Sequence, residues 1–193
     1  MRQLTMQDVV SNREYELTRP DFRRHIIELK KIRRLTIGPR LSLVFENTET
    51  MRFQVQEMMR IEHIEDPEKI QDEILVYNDL LPKGMAIGAT LLIELTQSDD
   101  MPKVLRQLSG VEENVRLRIG EREVVGLAEP GRSTEEKTSA VHYLTFSFAS
   151  DDLTALTDHR DGVSLEIKHP GYAYTVTVPR ETVTLLVRDL TSP

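Results

Sequence analysis

The apolar pattern of this sequence changes its period once, near residue 84, and this change constrains the fold more than any other feature. Before it, apolar residues recur at the spacing of amphipathic helices. After it, they alternate with polar residues in short runs, as in half-buried strands. The pattern predicts an α+β protein. An N-terminal helical layer, about residues 1–84, would pack on a mostly antiparallel β-sheet of six to seven strands, about residues 85–193.

Length and composition limit the classes of protein that the chain can belong to. With 193 residues, 39% of them apolar, and no repeat or low-complexity linker, we expect a single domain over residues 1–193. The absence of cysteine excludes disulfides, thiolate zinc sites, protein-bound iron–sulfur clusters and cysteine nucleophiles. No apolar run reaches the ~18 residues of a membrane span, and the N-terminus has no signal-peptide core. We therefore expect a cytoplasmic protein without membrane contact.

Three helices are predicted in the N-terminal part. The first begins near Thr18, with Pro20 in its first turn, and ends near Arg34. The second covers about residues 48–64 after a turn at Asn47, and it is apolar on most sides, as buried helices are. Aspartate and proline at positions 66 and 67 begin the third helix. A strand is also predicted over 41–45.

The C-terminal part is predicted to consist of strands with short helices between them. The predicted strands cover residues 89–95, 115–119, 123–128, 141–148, 163–168 and 172–178. Short helices are predicted over 101–109 and 151–158, and a polar loop over 130–138. The last residues, from Arg180, favour either a short helix or a final strand.

The charge of the chain is distributed unevenly. Residues 19–40 hold eight basic and two acidic side chains, whereas residues 41–82 hold three basic and ten acidic ones. The basic helix over 20–34 could form a surface for nucleic acid or an acidic partner, or it could pack against the acidic segment 41–82. The net charge of −7 and the pI near 5.3 favour the internal match, so nucleic-acid binding is not expected.

Local motifs for metal, phosphate or nucleophilic chemistry are absent from the sequence. No two of the five histidines have the spacing of a metal site, and no serine lies in a nucleophile elbow. No glycine-rich phosphate loop occurs. We therefore predict no metal and no cofactor, while a metal site assembled from residues distant in the sequence stays open. His142 lies in the middle of a predicted strand, where a hydrogen-bonded core histidine is more common than a ligand or a base.

A polar stripe on the second predicted helix is the best candidate for a functional site. Arg52, Gln56, Arg60 and His63 follow one another at helical spacing on a helix that is otherwise apolar, with Glu57 at the edge of the stripe. Since an unpaired buried arginine is costly, these side chains need partners. They could form salt bridges within the protein, or line a pocket for an anionic ligand between helix 48–64 and the sheet. The side chains predicted to converge there are Arg52, Gln54, Glu57, Arg60 and His142.

Several motifs, taken in order, resemble a known family. They are RPDFRR at 19–24, IELKK at 27–31, RFQVQEM at 52–58 and SAVHYL at 139–144. Together they resemble the bacterial domain-of-unknown-function 3501 family over essentially the whole chain. The resemblance implies no catalytic residues. Members tend to be encoded beside rubrerythrin-like proteins and iron–sulfur oxidoreductase subunits, which implies by association a redox or iron–sulfur protein partner.

Two functional hypotheses follow. The first is a cytoplasmic accessory protein that docks onto redox partners and is a binding module, not an enzyme. The alternative is an enzyme or a small-molecule binder whose pocket lies between helix 48–64 and the sheet. The sequence leaves the identity of any ligand or partner open, and also the oligomeric state.

Overall fold

The computed structural model describes residues 1–130, 138–158 and 162–191. Within these ranges, the helices are α1 (Asn12–Arg33), α2 (Thr48–Ile61), α3 (Pro67–Asn78), α4 (Met101–Gln107), α5 (Ser150–Asp158) and α6 (Arg180–Thr191). The strands are β1 (Arg34–Ile37), β2 (Leu41–Phe45), β3 (Ala86–Ile93), β4 (Val115–Ile119), β5 (Arg122–Ala128), β6 (Val141–Ser147), β7 (Val163–His169) and β8 (Tyr172–Thr177). Most of the predicted loop over 130–138 lies outside the described residues.

The strands form one antiparallel sheet, which confirms the predicted α+β class. Their order is β1-β2-β3-β6-β5-β4-β7-β8, so the described part of the sheet has eight strands and not six to seven. The sequence predicts no strand at β1, which is only four residues long. Because β1 pairs with β2 and β2 pairs with β3, the sheet begins well before residue 84.

The sheet curves until its two edge strands approach each other, so it is nearly a barrel. The Tyr172 hydroxyl at the start of β8 donates to the carbonyl of Ile37 at the end of β1 and accepts from the Arg40 N–H. Gly38 lies between them with φ 63°, and a Cβ there would come within 2.6 Å of the Tyr172 hydroxyl oxygen. This turn needs glycine for its backbone conformation and for its space.

Two apolar cores lie on opposite faces of the sheet. The larger one fills the curved interior, where alternate residues of the strands meet α6 through Val183, Leu186 and Leu190. The smaller one lies among the N-terminal segment, α2 and α3, and it contains Leu4, Met51, Val55, Met59, Ile74 and Leu81. The helical layer therefore covers the outer side of the sheet over β2, β3 and β6.

The predicted start of the first helix near Thr18 is wrong. α1 begins at Asn12, and Ser11 caps it by accepting a hydrogen bond from the Glu14 N–H at 3.3 Å. Pro20 lies inside the helix. A proline there removes a backbone hydrogen bond, yet the first turns are held by tertiary contacts, since Tyr15 is buried against α2. The packing of Tyr15 against α2 therefore determines where α1 begins, although the local sequence favours a later start.

The other helix predictions are confirmed, with small differences at the ends. Asn47 and Asp66 cap α2 and α3 as the sequence indicates. α2 stops at Ile61 rather than 64, where the Glu62 N–H bonds to the Met58 carbonyl. Of the two possibilities left open for the C-terminus, the structure has the helix, α6.

The basic helix packs on α2, which belongs to the acidic segment 41–82 of the predicted internal match but itself holds two acidic and two basic side chains. Arg19 on α1 bonds to Glu57 on α2 at 2.7 Å, and His25 lies 2.8 Å from Glu49. The match is incomplete, because Arg24 and Lys31 are exposed and pair only with acidic residues of α1 itself.

A buried ion pair joins the helical layer to the C-terminal helix. Arg33, the last residue of α1, is 0% exposed, and its Nη2 donates to the Asp189 carboxylate of α6 at 2.6 Å. Its Nη1 approaches the Phe45 carbonyl of β2 at 3.5 Å. Two turns earlier on α6, the Thr182 hydroxyl donates to the Ile32 carbonyl at 2.6 Å. The end of α1 is thus fixed to both α6 and the sheet.

We predict that Arg33→Met lowers the free energy of unfolding by about 3–5 kcal/mol, because it leaves the Asp189 carboxylate buried without its partner. Urea denaturation measures the loss. The double variant Arg33→Met/Asp189→Leu removes both charges and should recover most of it.

The matched control is Lys31→Met, which removes an exposed pair with Glu28 and should cost less than about 1 kcal/mol. An Arg33→Met loss as small as that of the control would show that the buried pair does not hold α6 in place.

Candidate functional site

A cleft lies between the outer face of β2, β3 and β6 and the three N-terminal helices. We call it the sheet–helix cleft. It consists of two adjoining chambers of about 210 Å³ and about 280 Å³, which share Glu46, Leu80 and Tyr143 in their linings. The first chamber lies towards α1 and α2, and the second lies towards the end of α3 and β5.

Strand alternation places Glu46 in this cleft. Leu41, Leu43 and Phe45 of β2 point into the curved interior, so the next residue, Glu46, faces the opposite side of the sheet. Directly after it, Asn47 caps α2: its side chain accepts from the Thr50 N–H at 2.9 Å. The same sequence that turns the chain from strand to helix therefore fixes a carboxylate under the helical layer.

Glu46 is buried with one of its carboxylate oxygens unpaired. Its side chain is 3% exposed, and Oε1 accepts a hydrogen bond from the Thr90 hydroxyl of β3 at 2.7 Å. Oε2 has no hydrogen-bond partner in the part of the chain that the structure describes. A buried oxygen without a donor costs roughly 1–3 kcal/mol, and more for a charged group. Glu46 therefore has an unmet need for a donor at the boundary of the two chambers.

The first chamber carries polar side chains that make no bond to the part of the chain that the structure describes. Among the described residues, no carboxylate lies within salt-bridge distance of Lys30, and Gln54 makes no side-chain hydrogen bond. Tyr77 of α3 lies in the same lining, and burial raises its pKa, with the neighbouring Tyr143 adding to the effect. Arg34 also lines the chamber but is bonded to Glu94 and Ser42.

The second chamber is acidic. Asp79 and Glu129 line it together with Glu46, and no described lysine or arginine does. The rest of the lining is apolar or neutral, with Leu80, Leu127 and Tyr143 as its large side chains. The cleft is therefore polarised, with a cation at the α1 end and carboxylates from its centre to the β5 end.

A close backbone contact sets the floor of the cleft. The carbonyl oxygen of Leu80, just after α3, lies so near Gly88 of β3 that a Cβ on Gly88 would come within 2.4 Å of it. Real Cβ atoms do not approach backbone oxygens so closely, so only glycine lets the end of α3 rest on β3 here. Since Leu80 lines both chambers, this contact determines the shape of the cleft.

We predict that Gly88→Ala moves the segment after α3 away from β3, and lowers the free energy of unfolding by about 1–3 kcal/mol, the range for an overpacked contact. The control is Gly171→Ala, where the nearest non-neighbouring atom would lie at an ordinary 3.4 Å. Amide chemical shifts of residues around the cleft should change in the Gly88 variant alone. Unchanged shifts there would show that the contact does not shape the cleft.

The five side chains predicted to converge do not meet at one site. Gln54 lines the first chamber, between α2 and the sheet, where the predicted pocket was placed. Arg52, Glu57 and Arg60 face α1 instead. His142 points into the curved interior of the sheet, because it is flanked along β6 by the outward Val141 and Tyr143.

Of the stripe, Arg52, Glu57 and Arg60 contact α1, whereas Gln56 bonds to Val10 before α1 and His63 lies beyond the end of α2. Glu57 accepts hydrogen bonds from the Tyr15 hydroxyl at 2.7 Å and from Arg19 at 2.7 and 3.0 Å, and Arg60 lies 3.5 Å away. The hydrogen bonds from Arg19, aided by Tyr15, lower the pKa of Glu57 to about 2. Burial raises the pKa of Tyr15, and its bond to Glu57 adds to this. Arg52 stacks on the Phe22 ring of α1, with its guanidinium carbon 5.1 Å from the ring centroid.

We predict that the stabilising effect of Glu57 depends on pH. Its pKa is about 2 in the folded chain, against an ordinary value of 4.5. The stabilisation is therefore complete above the ordinary pKa and is lost as the pH falls towards 2. Glu57→Gln should cost about 2–3 kcal/mol at pH 7, and the difference from wild type should shrink between about pH 5 and pH 2.

Urea denaturation across this pH range measures the effect, with Glu28→Gln as the control. Glu28 bonds only to the exposed Lys31, so its variant should differ from wild type by less than about 1 kcal/mol. A Glu57→Gln deficit that stays constant down to pH 2 would contradict the lowered pKa.

His142 belongs to a polar group inside the curved sheet. Its Nε2 lies 2.9 Å from the Thr138 hydroxyl, and its Nδ1 lies 3.9 Å from the carboxylate of Glu112. All three residues are buried. The arrangement fits a core histidine held by its neighbours. In the described ranges, no three histidine and acidic side chains are grouped as a metal site would require.

The sequence interpretation missed Glu46, Lys30 and Tyr143, although a weak signal existed for the first. A single glutamate follows a strand that is apolar on both faces, and precedes a helix cap. Such a carboxylate falls at the junction of two covered layers. Lys30 could not be separated from the other lysines and arginines of α1 by its position in the sequence.

No described helix is long and apolar enough to cross a membrane. The fold and cleft define the protein as an α+β barrel-like sheet with a helical layer on one outer face. Residues 3–190 match the family described as "Protein of unknown function (DUF3501)", and the chain belongs to that family.

The fold is shared with a solved structure. It is the crystal structure of a "novel protein of unknown function" from Burkholderia pseudomallei. That protein is 33% identical in sequence to this chain, and the two structures superpose with a TM-score of 0.90. The match covers 98% of this chain and 100% of that one. No curated protein matches the chain.

Proposed function

We propose that the protein binds a small molecule in the sheet–helix cleft. The observation that carries the proposal is Glu46, a buried carboxylate with an unpaired oxygen at the junction of the two chambers. A ligand N–H or O–H donor at Oε2 would complete its hydrogen bonding. Gln54 and Lys30 supply further polar groups that are unused within the described chain.

Unmet polar groups of this kind reduce stability, and a binding protein retains them for its ligand. The ion pairs of Glu57 with Arg19 and Arg60 argue against the alternative location, a pocket formed by the stripe on α2. Those charges are bonded to one another between α1 and α2, so they do not form the pocket for an anion that the stripe suggested.

We predict that Glu46→Leu/Thr90→Val is at least as stable as wild type but no longer binds ligand. The double change removes the unpaired carboxylate together with its hydroxyl partner, which avoids leaving a new unpaired group. Stability is measured by urea denaturation. Binding is measured by thermal shift and ligand-observed NMR with a panel of small amines, amino acids, carboxylates and sugars.

The control for binding is Glu28→Gln, which alters an exposed carboxylate outside the cleft. Wild type and control should bind the same members of the panel. If the double variant binds them equally well, the cleft is not the site. If it is destabilised by more than about 1 kcal/mol, Glu46 is a structural residue.

We propose, as a second function, that the chain docks onto a redox or iron–sulfur protein, the partner implied by its family. What supports a docking role is an exposed apolar pair on α3: Leu75 is 54% exposed and Val76 is 59% exposed. Large exposed apolar side chains that are adjacent on one helix are a common feature of partner surfaces.

The test is a pulldown with tagged wild type and with Val76→Asp, followed by metal analysis of the eluate. The proposal is supported if wild type retains an iron-containing protein and the variant loses it. Retention that is equal in both, or a partner without iron, would contradict it. Exposed Thr184→Asp on α6 adds the same charge elsewhere and is the matched control.

A further inference from the structure

The sheet–helix cleft is polarised, and this polarity restricts the class of ligand. Lys30 lines the first chamber, and Glu46 lines both chambers. Within the described chain, Lys30 forms no ion pair with Glu46 or any other carboxylate. Two opposite charges thus line one cleft without neutralising each other. A ligand that bridges them would carry a donor or cation at one end and an anion at the other.

The acidic end of the cleft favours the same orientation. Asp79 lines the second chamber, which Lys30 does not line, and adds its negative charge to that of Glu46. An anion in the second chamber would be repelled by these carboxylates, whereas an ammonium group would be attracted. The first chamber holds the unpaired Lys30 and the amide of Gln54, both of which can donate to a carboxylate.

The volume of the cleft limits the ligand's size. The chambers measure about 210 and about 280 Å³, each below the ~300 Å³ at which pockets for drug-sized molecules begin. Apolar side chains, among them Met51 and Leu80, line the first chamber together with the polar groups. A short aliphatic spacer between the two ends of the ligand would fit against them.

Resting on the proposed function, we infer that the cleft binds a compact zwitterion. Its primary amino group bonds to Glu46 Oε2, and its carboxylate lies at Lys30 and Gln54. The amino group supplies the donor that Oε2 lacks. The carboxylate gives the Lys30 ammonium the anionic partner that the protein does not provide. Amino acids whose amino and carboxylate groups are separated by a short chain belong to this class.

The test uses probes that differ only in their charged ends. The zwitterions are β-alanine, γ-aminobutyrate and ε-aminocaproate, in which the distance between the two charges increases stepwise. The matched single charges are n-butylamine and butyrate. Calorimetric titration of the full chain at low ionic strength should show that at least one zwitterion binds about tenfold or more tightly than either single charge, because only it forms both charge-assisted bonds.

Single variants test which residue binds the amino group of the ligand and which binds its carboxylate. Glu46→Gln should weaken the bound zwitterion and n-butylamine together. Lys30→Met should weaken the zwitterion about tenfold but leave n-butylamine unchanged. Lys31→Met is the control, because Lys31 is exposed and already paired with Glu28, and it should change neither. Lys30→Met removes no internal bond, so it remains informative even if Glu46→Gln folds poorly.

The possible outcomes test the ligand class and the proposed function separately. If n-butylamine binds as tightly as every zwitterion, or if Lys30→Met has no effect, the zwitterion inference is overturned while binding at Glu46 stands. If butyrate is the preferred probe, the assigned polarity is wrong. If no probe and no member of the wider panel binds to the wild-type chain, both proposals are overturned.

Discussion

The ion pair between Arg33 and Asp189 is the interaction on which the arrangement of this protein depends. It is buried at the point where the helical layer passes into the sheet, since Arg33 ends α1 and the next residue begins β1. Asp189 lies on α6, whose apolar side fills the interior of the curved sheet. The pair therefore connects the layer on the outer face to the core on the inner face. Desolvation makes such a pair a modest source of net stability, but losing one partner is costly, so it fixes the geometry.

This connection also fixes the sheet–helix cleft. The same end of α1 that carries Arg33 carries Lys30 one turn earlier, and Lys30 lines the first chamber. On the opposite side, the close contact of Leu80 with Gly88 holds the end of α3 against β3. The helices are thus tied to the sheet at both ends of the cleft, which leaves a space between them where β2, β3 and β6 are not fully covered. Glu46, whose Oε2 is buried without a partner among the described residues, lines that space, where apolar packing would have been more stable.

The sequence predicts the elements of this fold well wherever periodicity and capping act together. Asn47 and Asp66 mark two helix starts correctly, and the hairpin around residue 120 is found from strict alternation. The errors arise where tertiary contacts decide. Pro20 suggested a helix start, but Tyr15 and Arg19 are held against α2 and extend α1 towards the N-terminus. β1 has only four residues, too few for a periodic signal, and it exists because β2 pairs with it.

The candidate site was harder to predict than the fold, for a physical reason. The stripe on α2 identified side chains that need partners, and the sequence does not show which neighbouring element supplies them. α1 supplies them for Glu57 and Arg60, so these charges are neutralised. The Oε2 atom of Glu46, directly after β2, has no such partner among the described residues. α3 connects the two proposed functions, because its Tyr77 lines the cleft, as does Leu80 just after the helix, whereas Leu75 and Val76 are exposed to solvent. A partner bound to the exposed side of α3 would lie against the helix that covers the ligand. Docking and ligand binding would then involve different sides of one helix. Variants at Val76 and Glu46 distinguish the two functions, because of these two residues only Glu46 lines the cleft.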